Sequence, residues 1–190
     1  MVLTLKPSPP AASPLMMGDG PKRFTQKVTC MVKVAIFVDV QNVYYTVRDA
    51  YGRNFDYNRF WARATANRDV VNAFCYAIDR GDRKQQAFQN ILRAIGFEVK
   101  LKPFIQRSDG SAKGDWDVGI VLDVMEHAED ADVIVLVSGD GDFDLLVNKI
   151  RVKYGKTVEV YGVPQLTAAS LMNEASEFIA IDETLLLKPS

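Results

Sequence analysis

Histidine and cysteine are almost absent from this 190-residue chain, which contains one histidine and two cysteines. Protein zinc sites are built mainly from these two residue types, and disulfide-stabilised folds need several cysteines. The sequence therefore gives no basis for a zinc site, a histidine general base or a disulfide framework. Its cysteine usage is typical of a reducing compartment, so we expect a cytoplasmic protein.

Long hydrophobic runs and a strong charge of one sign are also missing. No stretch approaches the roughly 20 apolar residues that cross a bilayer. Prolines interrupt the N-terminal region where a signal peptide would need a continuous apolar core. The net charge of −1 excludes a general electrostatic grip on nucleic acid, which needs a basic face. We expect no membrane contact, and any nucleic-acid contact requires a local basic strip.

The first 30 residues differ in composition from the rest of the chain. They contain five of the eight prolines and show no periodic hydrophobic pattern. This composition predicts a flexible, proline-rich tail at residues 1–30. We expect one folded domain over residues 31–190.

Apolar runs alternate with amphipathic segments in the rest of the chain. The pattern predicts strands at Val32–Asp39, Val70–Ile78, Phe97–Phe104, Val133–Val137, Thr157–Tyr161 and Phe178–Ile181. It predicts helices at Tyr57–Asn67, Asp82–Ile95, Asp117–His127, Phe143–Tyr154 and Gln165–Glu174, and a polar loop at Gln106–Gly114. This alternation is typical of βαβ units, so we expect a three-layer α/β/α sandwich around a mostly parallel sheet. Functional groups in such sheets lie past the carboxyl ends of the strands.

Acidic residues occur at that edge of the predicted sheet. Asp39 ends the first strand, while Asp140 and Asp142 follow the strand that ends at Val137. Glycines beside these two acids allow a tight turn. Neighbouring carboxylates raise each other's pKa unless a cation neutralises them. Oxygen ligands without histidine or cysteine favour Mg²⁺ or Mn²⁺.

A divalent ion at such a site can act on a phosphodiester. The ion orients the substrate, polarises phosphorus and lowers the pKa of an attacking water, so no nucleophilic side chain is needed. Asp117 and Asp123, which lie in and after the sequence KGDWDV, are further candidates for the same edge. The non-functional alternatives are that Asp140 and Asp142 cap a helix and that Asp123 forms an ion pair.

Three sequence blocks carry a family resemblance. FVDVQN, KGDWDV followed by Asp123, and SGDGDF resemble the signature blocks of NYN domains in LabA-like proteins, which are relatives of PIN-domain nucleases. The resemblance extends from about Val32 to Ile181. It implies a PIN-like sheet of strand order 3-2-1-4-5 and RNA hydrolysis with Mg²⁺ or Mn²⁺. The residues that it implicates in metal binding or catalysis are Asp39, Asp117, Asp140 and Asp142, with Asn42, Ser138 and Asp123 as supporting candidates.

Contacts with RNA are predicted less specifically. Arg80 and Lys113 could hold phosphates near the acidic edge, and Trp116 could stack on an unpaired base. The alternatives are a solvated surface for the two basic residues and a core position for the tryptophan. The expected substrate is single-stranded or structured RNA, and the resemblance also suggests a homodimer.

Two other functions compete with a metal-dependent ribonuclease. The same pocket could bind RNA or a partner protein for regulation without turnover. Alternatively, Gly139-Asp140-Gly141-x-x-Asp144 resembles the last acidic motif of haloacid-dehalogenase-type phosphatases, which would use Asp39 as a nucleophile. Those phosphatases need an aspartate where this chain has Gln41, so the sequence favours the ribonuclease.

Overall fold

The computed structural model describes residues 31–79, 81–103, 105–106, 112–113 and 115–188. In chain order the elements are β1 (Val32–Asp39), α1 (Val40–Tyr51), α2 (Tyr57–Ala64), β2 (Arg68–Asp79), α3 (Arg83–Ile95), β3 (Glu98–Pro103), β4 (Ile105–Gln106), β5 (Ala112–Lys113), α4 (Asp117–His127), β6 (Val133–Val137), α5 (Asp144–Tyr154), β7 (Thr157–Gly162), α6 (Ala169–Glu174) and β8 (Glu177–Ala180). The predicted tail, residues 1–30, lies outside the described residues.

Six of the strands form one parallel sheet of order β3-β2-β1-β6-β7-β8. Counting only these strands along the chain, the first five have the order 3-2-1-4-5. The predicted order is therefore confirmed, and β8 adds a sixth strand at one edge. Strands β2 and β3 are added on one side of β1, whereas β6, β7 and β8 are added on the other side. Between β1 and β6, where the strand order reverses, a parallel α/β fold has a crevice at its carboxyl edge.

Both faces of the sheet are covered, which confirms the three-layer architecture. Along β1, Val34, Ile36 and Val38 pack against α1, α2 and α3. Ala35 and Phe37 point to the other face, where α4, α5 and α6 pack. The positions of β1 that are buried on both faces, Val34–Val38, must all be apolar, which explains this continuous run of apolar residues. Among the described residues, no helix is long and apolar enough to cross a bilayer.

The sequence prediction missed α1, although its signal is present. Val43 and Val47 are buried four residues apart, and Gly52 ends the helix in the left-handed region with φ of 61°. The β-branched and aromatic residues of this segment have low helix propensity, so packing against the sheet determines its conformation.

Several predicted boundaries were wrong by a few residues. The helix expected at Tyr57–Asn67 ends at Ala64. The helix expected at Gln165–Glu174 is interrupted, because a 3-10 turn at Pro164–Leu166 precedes α6. The polar loop expected at Gln106–Gly114 contains part of a two-stranded antiparallel pair, β4 with β5. The rest of that loop lies outside the described residues.

Candidate functional site

Three carboxylates converge at the carboxyl edge of the sheet. Each of Asp117, Asp140 and Asp142 offers an oxygen, and these oxygens lie within 4.8 Å of one another. Asp140 and Asp142 follow β6 directly, whereas Asp117 begins α4. Residues 23 positions apart in the chain are thus brought together by the fold.

Backbone hydrogen bonds fix the turn that presents two of these acids. Asp140 Oδ1 accepts a hydrogen bond from the Asp142 backbone N–H at 3.0 Å, and so caps a 3-10 turn at Gly141–Phe143. The buried Ser138 accepts a hydrogen bond on Oγ from the Asp140 N–H at 3.2 Å. Ser138 therefore closes the turn, and Asp140 combines a capping role with its place in the acidic group.

Asp39 lies at the end of β1, the strand next to β6. It is 8% exposed and accepts a hydrogen bond on Oδ1 from the Asn42 N–H at 3.0 Å, which caps α1. The pKa of Asp39 is raised from 3.8 to about 6, mainly by burial and in addition by the charges of Asp117 and Asp140, against the lowering effect of the backbone hydrogen bonds. The charge of Asp39 therefore interacts with the acids of this edge. Its oxygens are not part of the group formed by Asp117, Asp140 and Asp142.

The pKa of Asp117 is also raised. Partial burial is the main cause, and the charges of Asp115, Asp140 and Asp142 add to it, whereas Lys102 lowers it. Among the described residues, Lys102 offsets only part of the effect of burial and of the neighbouring acids. A cation would lower the free energy of the ionised form of the whole group.

Asn42 and Gly139 join the first and third sequence blocks. Asn42 Oδ1 accepts a hydrogen bond from the Gly139 N–H at 2.9 Å, across 97 residues of chain. The tight turn that the glycines were expected to allow does not use a left-handed conformation at Gly139, because its φ angle is not positive. Instead, a Cβ there would lie 2.8 Å from the backbone oxygen of Leu166. Close packing, rather than turn geometry, excludes a side chain.

Comparison with known proteins agrees with this geometry. The NYN domain family model matches residues 33–182. The chain belongs to the NYN domain family. It is 31% identical to the low amplitude and bright protein LabA of Synechococcus elongatus over 160 residues, covering 80% of this chain and 84% of the relative.

A solved structure resembles this NYN domain closely. The crystal structure of a protein of unknown function from Vibrio parahaemolyticus has 60% sequence identity and a TM-score of 0.79, and the match covers 83% of this chain and 97% of that one. The α/β fold is thus shared with an experimental structure of a near relative.

Asp123, which the sequence suggested as a supporting residue of the acidic site, makes a structural ion pair in this NYN domain. Asp123 accepts hydrogen bonds from Lys100 Nζ and from the Tyr76 hydroxyl, both at 2.7 Å. Burial and this carboxylate raise the pKa of Tyr76 above its usual range. Asp123 is therefore neutralised by its own contacts and is not one of the three converging carboxylates. The sequence left an ion pair of Asp123 open as an alternative, but it could not identify the partner, since Lys100 lies on a different element.

Trp116 is held by contacts on several sides. Its Nε1 donates to the Ala77 backbone oxygen at 2.9 Å, and its ring centroid lies 5.3 Å from that of Tyr76. Lys102 Nζ lies 4.4 Å from the ring centroid, and Gly119 packs so closely that an added Cβ would lie 2.6 Å from the ring. These contacts assign the side chain a packing role, and its stacking on RNA stays a prediction.

The two basic candidates are not tested by the structure. Arg80 lies outside the described residues, and only the backbone of Lys113, in β5, is described. Two other lysines, both in β3, form contacts within the protein. Lys100 pairs with Asp123, and Lys102 Nζ donates to the Asp115 backbone oxygen at 2.8 Å.

Proposed function

We propose that this NYN domain is a ribonuclease that hydrolyses RNA phosphodiesters with Mg²⁺ or Mn²⁺. The observation that carries the proposal is the group formed by Asp117, Asp140 and Asp142 at the carboxyl edge of the sheet. Asp39 adds a fourth acid within electrostatic reach. Family membership supports the nuclease over the phosphatase that the sequence left open, because NYN domains are relatives of PIN-domain nucleases.

The donor set fits a hard divalent ion. Every group is a carboxylate oxygen, the ligand type that Mg²⁺ and Mn²⁺ prefer. Two oxygens bound to one Mg²⁺ at about 2.1 Å each lie at most about 4.2 Å apart. Three oxygens on one octahedral ion include neighbouring pairs only about 3 Å apart. The three side chains, whose oxygens lie within 4.8 Å of one another, would therefore close around the ion as it binds.

The positions of the four aspartates suggest their roles. We assign metal binding to Asp117, Asp140 and Asp142, whose oxygens already converge, and to Asp39 beside them. A bound ion would supply an activated water and neutralise charge on the phosphate. Asn42 positions Gly139, and through it the turn that carries Asp140.

Incubation of the purified protein with single-stranded and structured RNA tests the proposal. We expect cleavage with Mg²⁺ or Mn²⁺ and none with EDTA. Asp140→Asn should abolish cleavage and leave the fold intact, because asparagine retains the capping oxygen. The matched control is Asp69→Asn, which changes an exposed acid in the first residues of β2, at the opposite edge of the sheet. Equal cleavage by the Asp140 variant would identify a contaminating nuclease and refute the assignment.

Regulation without turnover is the second candidate, and the same experiment decides it. Retained RNA binding with no cleavage under any metal would mean that the acidic edge holds a ligand without catalysis. A cytoplasmic location and pairing of two copies are further predictions from the sequence. Cell fractionation and measurement of the mass in solution would test them.

A further inference from the structure

A cavity of about 540 Å³ opens next to the acidic edge, on the face of the sheet covered by α1, α2 and α3. Its walls come from the start of α1, the end of β2 and the first turns of α3. Val40 and Gln41 line it and directly follow Asp39. Because consecutive Cα atoms are about 3.8 Å apart, the cavity begins within one residue of the proposed catalytic edge. Its volume lies in the range of small-molecule binding sites.

Aromatic rings form much of the wall. Tyr44 and Tyr45, in the first half of α1, are 51% and 53% exposed. Deeper in the wall, the ring of Tyr57 meets those of Phe55 and Phe88 edge-on, at centroid distances of 5.0 and 5.4 Å. Flat apolar rings of this kind suit the face of a nucleobase, and stacking of this type is the usual way in which proteins hold unpaired bases.

Two buried polar side chains also line the cavity. Gln89 is 5% exposed and Tyr57 is 8% exposed. Within the described part of the chain, neither the Gln89 amide nor the Tyr57 hydroxyl has a hydrogen-bond partner. Both residues line this cavity. Buried polar groups normally have partners, so these two are available to a ligand.

We propose that the cavity binds one unpaired nucleobase of the RNA strand whose phosphate lies at the acidic edge. The proposal rests on the proposed function for the identity of the strand. The amide of Gln89 offers both a donor and an acceptor, as the edge of a base requires, and Tyr57 adds a hydroxyl. A base that is paired in a duplex presents neither its face nor its pairing edge, so the cavity selects single-stranded positions.

Fluorescence anisotropy in EDTA tests this without any cleavage step. The probe is a labelled single-stranded RNA octamer, compared with the same octamer in a duplex and with one that carries a single abasic position, moved along the strand. Tyr44→Ala should weaken binding about 5- to 150-fold, the range for losing one stacked base. Gln89→Leu should weaken it about 2- to 10-fold, as expected for a lost hydrogen bond. The matched control is Gln86→Leu, an exposed position of α3 outside the cavity, and thermal unfolding verifies that each variant folds.

The possible outcomes test the proposed nucleobase-binding cavity, here called the base site, independently of the proposed ribonuclease activity. Weaker binding by both variants and by one abasic position supports the base site, whether or not the protein cleaves RNA. Binding of nucleoside monophosphates as tight as that of the octamer, and lost in Gln89→Leu, also supports it, with a free nucleotide as the source of the base. Unchanged binding in both variants, equal binding of every abasic octamer, or no RNA binding overturns the base site. Cleavage by the wild type in Mg²⁺ would then leave the proposed ribonuclease standing.

Discussion

Replacing Asp39 by asparagine should stabilise the protein in the absence of metal. The carboxylate is buried beside other acids, and its pKa rises from 3.8 to about 6. Asparagine retains an oxygen that can accept the hydrogen bond from the Asn42 N–H, so the cap of α1 is preserved. The substitution removes a buried negative charge that lowers the stability of the folded protein.

The sign and size of the effect follow from the raised pKa. As pH increases from about 4 to about 6, the unfolded chain releases the proton of Asp39 before the folded protein does, so the wild type becomes less stable over this interval. A shift of about two pKa units at about 1.36 kcal/mol each corresponds to about 3 kcal/mol. The variant should therefore exceed the wild type in free energy of unfolding by up to about 3 kcal/mol at pH 8, and by little at pH 4.

Urea denaturation in EDTA at pH 4, 6 and 8, followed by tryptophan fluorescence, measures this difference. Asp69→Asn, at an exposed acid, is the control and should differ from the wild type by less than about 0.5 kcal/mol at each pH. Adding Mg²⁺ at pH 8 should narrow the gap, since the ion stabilises the wild type by binding its folded form. A variant that is equally or less stable than the wild type at pH 8 would refute the electrostatic argument.

Two further predictions concern the turn after β6. Gly139→Ala places a Cβ 2.8 Å from the Leu166 oxygen, so the free energy of unfolding measured in urea should fall by about 1–3 kcal/mol; an unchanged value would show that the turn relaxes freely. Asn42→Ala leaves the Gly139 N–H without its acceptor and should cost about 1–3 kcal/mol in urea denaturation. The same variant should also slow RNA cleavage, and wild-type cleavage would remove the positioning role assigned to Asn42.

The parts of the fold that were predictable from sequence depend on local patterns. Continuous apolar runs mark β1 and β6, and helical spacing marks α4, so these elements were placed with the correct bounds. Acids that directly follow a strand, such as Asp39 and Asp140, necessarily lie at its carboxyl edge once the sheet is parallel. That Asp39 and Asp140 lie at the same edge could therefore be inferred from the sequence. The oxygens that converge there, however, are those of Asp117, Asp140 and Asp142.

The parts that were not predictable depend on contacts between distant residues. Nothing in the pattern around Asp123 indicates that Lys100 and Tyr76 both donate hydrogen bonds to its Oδ2. The requirement for glycine at position 139 comes from the Leu166 oxygen, which lies 27 residues further along the chain. Likewise, the cavity beside α1 forms where the block FVDVQN packs near segments that carry no recognisable motif, such as the first turns of α3.

Capping and catalysis are compatible roles for the acids at this edge. Asp39 and Asp140 each use one oxygen to accept a backbone hydrogen bond, from Asn42 and Asp142 respectively. Since a carboxylate has two oxygens, each can be oriented by its cap while the second oxygen remains for an ion. The caps also explain why asparagine is the informative substitution at both positions. It preserves the oriented oxygen and replaces the second, metal-binding oxygen with an NH₂ group. A loss of activity in a folded variant therefore reports on the loss of that charged ligand.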